Sequence, residues 1–142
     1  MMKRVVVLAM AGLLGSIGFS ACGKKHETTL NLVGHPNGSS SLAGLTSVGD
    51  EMSIHEQLTR AGQPYGNGDG GCIADTSTTA NCALTLKLPG GTAVFQGRVN
   101  VRSQTLTLPI GQGTGKYLDN SGFMELDNGQ GNETKLTIRL NS

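Results

Sequence analysis

The chain of 142 residues has no tryptophan, only five other aromatic residues and few charged residues, 15% of the total. A core must therefore be built from small aliphatic side chains, which at this length suits a single domain. The 22 glycines argue against a helical bundle, because glycine is costly inside helices. The formal net charge of +1 lacks the basic excess of nucleic-acid-binding proteins, so no nucleic-acid partner is expected.

Long hydrophobic runs are missing outside the N-terminus. There, two basic residues at positions 3 and 4 precede an apolar run over 5–19, which is short and interrupted by glycine. This pattern predicts a secretion signal over 1–21 rather than a membrane-spanning helix. The tetrad FSAC over 19–22 resembles the bacterial lipobox, which implies a lipid on Cys22 and the membrane as a partner. Ordinary signal-peptidase cleavage after Ala21 is the alternative.

The expected location is therefore the bacterial cell envelope. Gly23 follows Cys22, where an aspartate often retains lipoproteins at the inner membrane, so the outer membrane is favoured. A soluble secreted or periplasmic protein is the alternative. Cleavage removes two of the 11 basic residues and none of the 10 acidic ones, which leaves a net charge of −1. Residues 22–47 predict a tether with a first strand, and 48–142 form the rest of the domain.

The three cysteines fit that compartment. If Cys22 carries lipid, Cys72 and Cys82 remain as a pair that an oxidising environment would keep as a disulfide. Closing this short loop is worth roughly 2–3 kcal/mol in the chain-entropy model. Metal binding or a reactive thiol is the alternative, but no histidine lies nearby and no CxxC occurs. Neither a metal nor a cofactor is expected.

Apolar and polar residues alternate at period two from residue 50 onward, which is typical of antiparallel sheets. A glycine-rich loop is predicted over 62–71, a hairpin turn at Pro89-Gly90-Gly91, a strand break at the Gly111–Gly115 cluster and a reversal at Asp127-Asn128-Gly129. The predicted strands cover 29–33, 51–58, 72–75, 82–88, 92–101, 106–110, 122–126 and 133–140. Eight short strands without helices predict a closed antiparallel barrel, with a two-sheet sandwich as the alternative.

Motifs over 47–140 resemble the allene oxide cyclase and dirigent-like barrel superfamily, in its small bacterial secreted branch. The most specific is a structural corner made of Gly113, Thr114, Gly115 and Tyr117, followed by Gly122. The resemblance implies an eight-stranded barrel, a homotrimer as in plant members, and a small hydrophobic ligand in its mouth or interior. The other matching segments are Gly49-Asp50, Leu58, Gly62, Gly66, Asp69-Gly70-Gly71-Cys72, Cys82, Leu86 to Gly91, Gln96-Gly97, Ile110 to Gly122 and Leu136-Thr137-Ile138.

Candidate chemistry lies on two polar strand faces. If the first faced the interior, Glu51 could serve as a base and His55 as a proton carrier, with Gln57 as a ligand contact. The second could orient an oxygenated ligand through three polar side chains, Gln96, Arg98 and Asn100. Both faces could equally meet solvent, as one face of every strand must.

Three functions follow from these observations. The favoured one is a lipid-anchored barrel that binds a small apolar molecule. The second is an isomerase or cyclase resembling allene oxide cyclase. The third is a structural envelope lipoprotein whose barrel is filled by its own side chains, and an interior cavity with an opening would separate it from the other two.

Overall fold

A computed structural model describes residues 26–37, 42–127 and 133–142. The expected signal segment, the expected lipidation site Cys22 and the expected reversal at Asn128-Gly129 lie outside these residues. Within the described ranges, no helix has the length and hydrophobicity needed to cross a membrane.

Eight antiparallel strands close into a barrel in which each strand pairs with the next and the last pairs with the first. This confirms the predicted barrel over the sandwich. Closure leaves no unpaired sheet edge to recruit other strands. The strands are β1 (Glu27–Pro36), β2 (Glu51–Arg60), β3 (Gln63–Ala74), β4 (Thr79–Leu88), β5 (Gly91–Asn100), β6 (Thr105–Gly113), β7 (Ser121–Asp127) and β8 (Thr134–Asn141).

Period-two alternation places one face of each strand in a single core inside the barrel. On β5, for example, Ala93, Phe95 and Val99 are buried while Gln96 and Arg98 are exposed. Leucine is the most frequent core residue, which agrees with a core built from aliphatic side chains. Leu42 and Leu45 join this core from the connection between β1 and β2, where a 3₁₀ turn spans Leu42–Gly44.

The glycine-rich loop predicted over 62–71 is wrong, because residues 63–71 form most of β3. This strand pairs with β2 on one side and β4 on the other. A Cβ placed on Gly70 would lie 2.0 Å from the carbonyl oxygen of Ala83, and one on Gly66 would lie 2.0 Å from that of Lys87. Glycine here permits a close approach of neighbouring backbones, and sheet context overrides its low strand propensity.

The break predicted at the Gly111–Gly115 cluster is also wrong in part, since β6 continues to Gly113. Phe95 lies opposite Ile110 and Val94 lies opposite Gln112, which leaves Gly111 as an extra residue. The cluster therefore begins with a β-bulge, and the strand ends only after it.

The predicted disulfide is confirmed. Cys72 and Cys82 lie directly opposite each other on β3 and β4, with a Cα–Cα distance of 4.0 Å, and are bonded. Both are buried on the inward faces of their strands. The bond therefore forms part of the inner wall of the barrel.

One end of the barrel is closed by the corner after β6, where a 3₁₀ turn spans Gly115–Tyr117. Tyr117 is 2% exposed, and its hydroxyl donates to the carbonyl oxygen of Pro89 at 3.1 Å. Thr114 Oγ1 accepts from the backbone N–H of Thr92 at 3.0 Å. Gly115 has φ of 60°, and a Cβ there would lie 2.0 Å from the Gly90 carbonyl oxygen. These contacts explain the glycines of the corner.

Candidate functional site

A carboxylate lies inside the barrel. Glu56 follows Ile54 and precedes Leu58 on the inward face of β2, and it is 4% exposed. Among the residues that the structure describes, it is the one charged side chain that is buried. Its Oε1 atom has no hydrogen-bond partner among the described residues. A buried polar atom without a partner is costly, so this arrangement calls for a reason.

Two glycines make room for the Glu56 side chain. A Cβ on Gly34 of β1 would lie 2.4 Å from Glu56 Oε2 and 2.6 Å from its carboxyl carbon. On the other side, a Cβ on Gly68 of β3 would lie 3.5 Å from Glu56 Cγ. The carboxyl group therefore occupies a niche that a larger residue at position 34 would fill.

Burial raises the pKa of Glu56 from its ordinary value of 4.5 to about 7. The cause is desolvation, which disfavours the charged form. Near neutral pH both the protonated and the ionised form of this carboxyl group are therefore populated. A group in that state can donate or accept a proton.

Glu56 lines an interior cavity of about 60 Å³. This is about the share of two water molecules in the liquid, so most of the interior is filled by side chains. The exposed Asp127, with Pro36 and Thr134, also lines the cavity, which connects it to the rim of the barrel. The disulfide forms part of its wall. The apolar lining comes from Leu42, Met52, Ile54, Ala83, Leu84, Leu106, Leu108 and Leu126.

The other carboxylates with shifted pKa values are paired and solvated. Backbone N–H groups of Thr46 and Ser47 donate to Asp50 and lower the pKa of its carboxyl group. The Thr79 hydroxyl donates to Asp75, and with Arg98 nearby it lowers the pKa of that carboxyl group. Glu56 differs from both, because its pKa moves upward and its Oε1 atom is unpaired.

The first set of candidate residues lies on the outer surface of the barrel. Glu51, His55 and Gln57 occupy the odd-numbered, exposed face of β2, so the condition for an interior acid–base pair is not met. His55 Nδ1 lies 2.8 Å from the carboxylate of Asp69, also on the outer surface. The inward face of β2 is formed by Met52, Ile54 and Leu58, together with Glu56.

The second polar set is exposed as well. Gln96, Arg98 and Asn100 alternate with buried residues of β5. Arg98 Nε lies 2.8 Å from a carboxylate oxygen of Asp75, so the guanidinium is paired on the surface. Arg98, Gln96 and Glu51 do share a broad outer groove of about 770 Å³ across β2 to β5. The structure thus brings these three residues together, but outside the barrel.

Sequence reasoning missed Glu56, although a signal was present. The residue stands two positions after Ile54 and two before Leu58, within the apolar period of β2. A carboxylate in an otherwise apolar strand face marks either an error in the pattern or an interior polar site. Across residues 26–37, 42–127 and 133–142, no three His, Cys, Asp or Glu side chains are grouped so as to hold a metal ion.

Known structures share this architecture. A pyocyanin demethylase has 22% sequence identity and a TM-score of 0.64, covering 81% of this chain and 99% of its own. The pterocarpan synthase dirigent protein GePTS1 has 12% sequence identity and a TM-score of 0.65, and the alignment covers 82% of this chain and 88% of GePTS1. The Diels-Alderase AbmU from Streptomyces koyangensis has 17% identity and a TM-score of 0.64, covering 94% and 79%. These likenesses concern the fold.

Comparison with curated protein sequences finds no match. The sequence profile described as "Allene oxide cyclase barrel like domain" matches residues 31–139, which is most of the chain. These residues run from β1 to β8. They include Glu56, the disulfide and the corner that contains Tyr117. With the closed eight-stranded barrel and this match, the chain belongs to the allene oxide cyclase barrel-like family.

Proposed function

We propose that the protein is a lipid-anchored barrel of the bacterial cell envelope that binds a small, mostly apolar molecule beside Glu56. The observation that carries the binding proposal is the unpaired Oε1 atom of Glu56 at an apolar interior cavity. Small-molecule sites typically combine an apolar lining with a few placed polar groups. A titratable group strongly perturbed by desolvation inside a cavity is a functional-site candidate.

A purely structural barrel is the weaker reading of the same interior. The small cavity volume favours it, because most of the core is filled. However, a filled barrel needs no buried carboxylate, and a leucine at position 56 would avoid the desolvation cost. The absence of a side chain at Gly34 leaves space for this carboxyl group, which supports a specific role for Glu56.

The anchor proposal has its support in the sequence over 1–22. Four residues separate Cys22 from Glu27, where β1 begins. With so short a connection, the end of the barrel where β1 begins would lie near the membrane. The cavity reaches the opposite end, where β1 ends at Pro36, and would therefore open away from the bilayer.

Native mass spectrometry of the protein purified from its host membranes tests these proposals together. We expect a mass increase for the lipid and a small bound molecule that leaves on denaturation, and a subunit number of three would support the proposed homotrimer. Cys22→Ala should remove the lipid mass and move the protein from the detergent phase to the aqueous phase. A barrel that carries no small molecule and takes up none of an added apolar probe would contradict the binding proposal.

A proton-transfer isomerase is the second candidate, and the pKa of Glu56 near 7 favours it. A carboxyl group with a pKa close to the working pH can serve as a general acid or base. In this candidate Glu56 takes the role first given to Glu51. For any substrate that is identified, Glu56→Gln should abolish turnover while Glu51→Gln leaves it unchanged. Retained turnover in Glu56→Gln would remove this candidate.

A further inference from the structure

The charge of the cavity suggests the chemical class of its ligand. Resting on the proposed binding function, we propose that the cavity takes an organic cation, an apolar molecule whose protonated nitrogen pairs with the Glu56 carboxylate. The ammonium group would donate to Oε1, the oxygen that has no partner within the described part of the chain. A charge-assisted hydrogen bond of this kind is stronger than one between neutral groups.

The cavity carries negative groups and no positive one among its described lining residues. Glu56 lies inside it, and Asp127 lines it at the rim. No lysine, arginine or histidine is among those lining residues. The segments 38–41 and 128–132, which flank this end of the barrel in sequence, contain no charged residue either. Among the described residues, the cavity lining therefore offers Glu56 no counter-charge.

Charged residues on the strands packed against Glu56 point away from it. His35 of β1 bonds to the Thr59 hydroxyl at 3.1 Å and lies 3.6 Å from a carboxylate oxygen of Glu133. Asp69 of β3 pairs with His55 on the outer surface. Towards Glu56, β1 presents Gly34 and Pro36, and β3 presents Gly68, none of which carries a charge.

The strands that line the cavity farther from Glu56, β4 and β6 to β8, contribute one further charged residue, Asp127. Its lining from β4 and β6 is apolar apart from the disulfide. On β7 the lining consists of Leu126 and Asp127, and on β8 it is the neutral Thr134. Glu56 and Asp127 are therefore the titratable groups that line the cavity from the described strands, and both favour a cation when ionised.

Cavity size limits how much of the ligand enters. A volume of about 60 Å³ accommodates an ammonium group with one or two methylenes. The remainder of the molecule would lie at the rim against Pro36, which lines the same cavity. An elongated amine inserted head first fits these limits. A carboxylate ligand would place a like charge beside Glu56, and a neutral one would leave the ionised carboxylate unpaired.

Isothermal titration calorimetry of the detergent-purified protein with hexylamine, hexan-1-ol and hexanoate tests this assignment, because the three probes share one alkyl chain. At pH 8, where Glu56 is mainly ionised and an alkylamine is protonated, we expect hexylamine to bind at least tenfold more tightly than hexan-1-ol. Hexanoate should bind most weakly. At pH 5.5, where Glu56 is protonated, the preference for the amine should fall below threefold.

The variants separate the two proposals. Glu56→Gln should lose the preference for hexylamine at pH 8 while its affinity for hexan-1-ol stays within twofold, and the surface variant Glu51→Gln should keep the full preference. Equal binding of the amine and the alcohol at pH 8 would overturn the cation assignment and leave the binding function standing. A preference that persists in Glu56→Gln would overturn the role of Glu56. Binding of none of the probes would overturn both proposals.

Discussion

The two ends of the barrel differ in whether a buried polar side chain has a hydrogen-bond partner. At the closed end, the hydroxyl of the buried Tyr117 donates to the Pro89 carbonyl oxygen, and beside it the exposed Thr114 side chain bonds to Thr92. At the cavity end, Glu56 Oε1 is buried without a partner. The first arrangement stabilises the fold, whereas the second destabilises it and leaves a hydrogen-bond acceptor available to a ligand.

The difference can be expressed as a free energy. A carboxyl pKa raised from 4.5 to about 7 corresponds to roughly 3 kcal/mol lost from the folded state at alkaline pH. Domains of this size are stable by only about 5–15 kcal/mol, so the loss is a sizeable fraction of the total. Binding a cation next to Glu56 would recover part of it, since a ligand that binds only the folded state stabilises it.

Breaking the closed end should have the largest effect. Tyr117→Ala removes one of the largest fully buried side chains, and we expect the free energy of unfolding to fall by about 3–5 kcal/mol. Tyr117→Phe keeps the ring and loses only the hydrogen bond to Pro89, so it should cost about 1 kcal/mol. Urea denaturation measures both. A cost below about 1 kcal/mol for Tyr117→Ala would show that the corner does not hold the end closed.

Removing the buried charge should instead raise the free energy of unfolding. Between pH 4.5 and 7 the folded protein retains a proton on Glu56 that the unfolded chain has lost, so the stability of the native protein falls as the pH rises. Relative to the native protein, Glu56→Gln should therefore gain about 2–3 kcal/mol between pH 5 and pH 8.

Urea denaturation at the two pH values measures this gain. Glu51→Gln serves as the control, because Glu51 lies exposed on the outer face of the same strand. A stability difference between Glu56→Gln and the native protein that does not change with pH would contradict the shifted pKa of Glu56.

Filling the niche should have the smallest effect of the three. Gly34→Ala places a Cβ where the Glu56 carboxyl group lies, and displacing that group should cost about 1–3 kcal/mol. In a Glu56→Ala background the same substitution meets no carboxyl group, so its cost should be at least about 1 kcal/mol lower. A double-mutant cycle measures this coupling, and additive costs would show that Gly34 does not form the niche.

The sequence predicts the scaffold better than the site. Alternation places Met52, Ile54 and Leu58 on one face of β2 and Phe95 and Val99 on one face of β5, and barrel closure follows from the number of strands. The run 62–71 could not be assigned in this way, because glycine forms a strand there only through close contact with neighbouring backbones.

The site was harder to predict because the polar side chains that suggested chemistry lie on the exposed face of β2. Glu51 and His55 satisfy the residue types of an acid–base pair, but alternation turns them to solvent. Glu56 was identifiable as the one carboxylate in the apolar period of that strand. Its lack of a partner, however, depends on glycines at positions 34 and 68, which only the strand register brings beside it.

The most direct test of this account is a pH titration of the Glu56 side-chain carboxyl group by ¹³C NMR, assigned with Glu56→Gln. We expect a midpoint near pH 7, because burial raises the pKa of this group, and a shift of the midpoint to lower pH when hexylamine is added. A midpoint near 4.5 that hexylamine leaves unchanged would contradict it, because Glu56 would then be solvated or already paired.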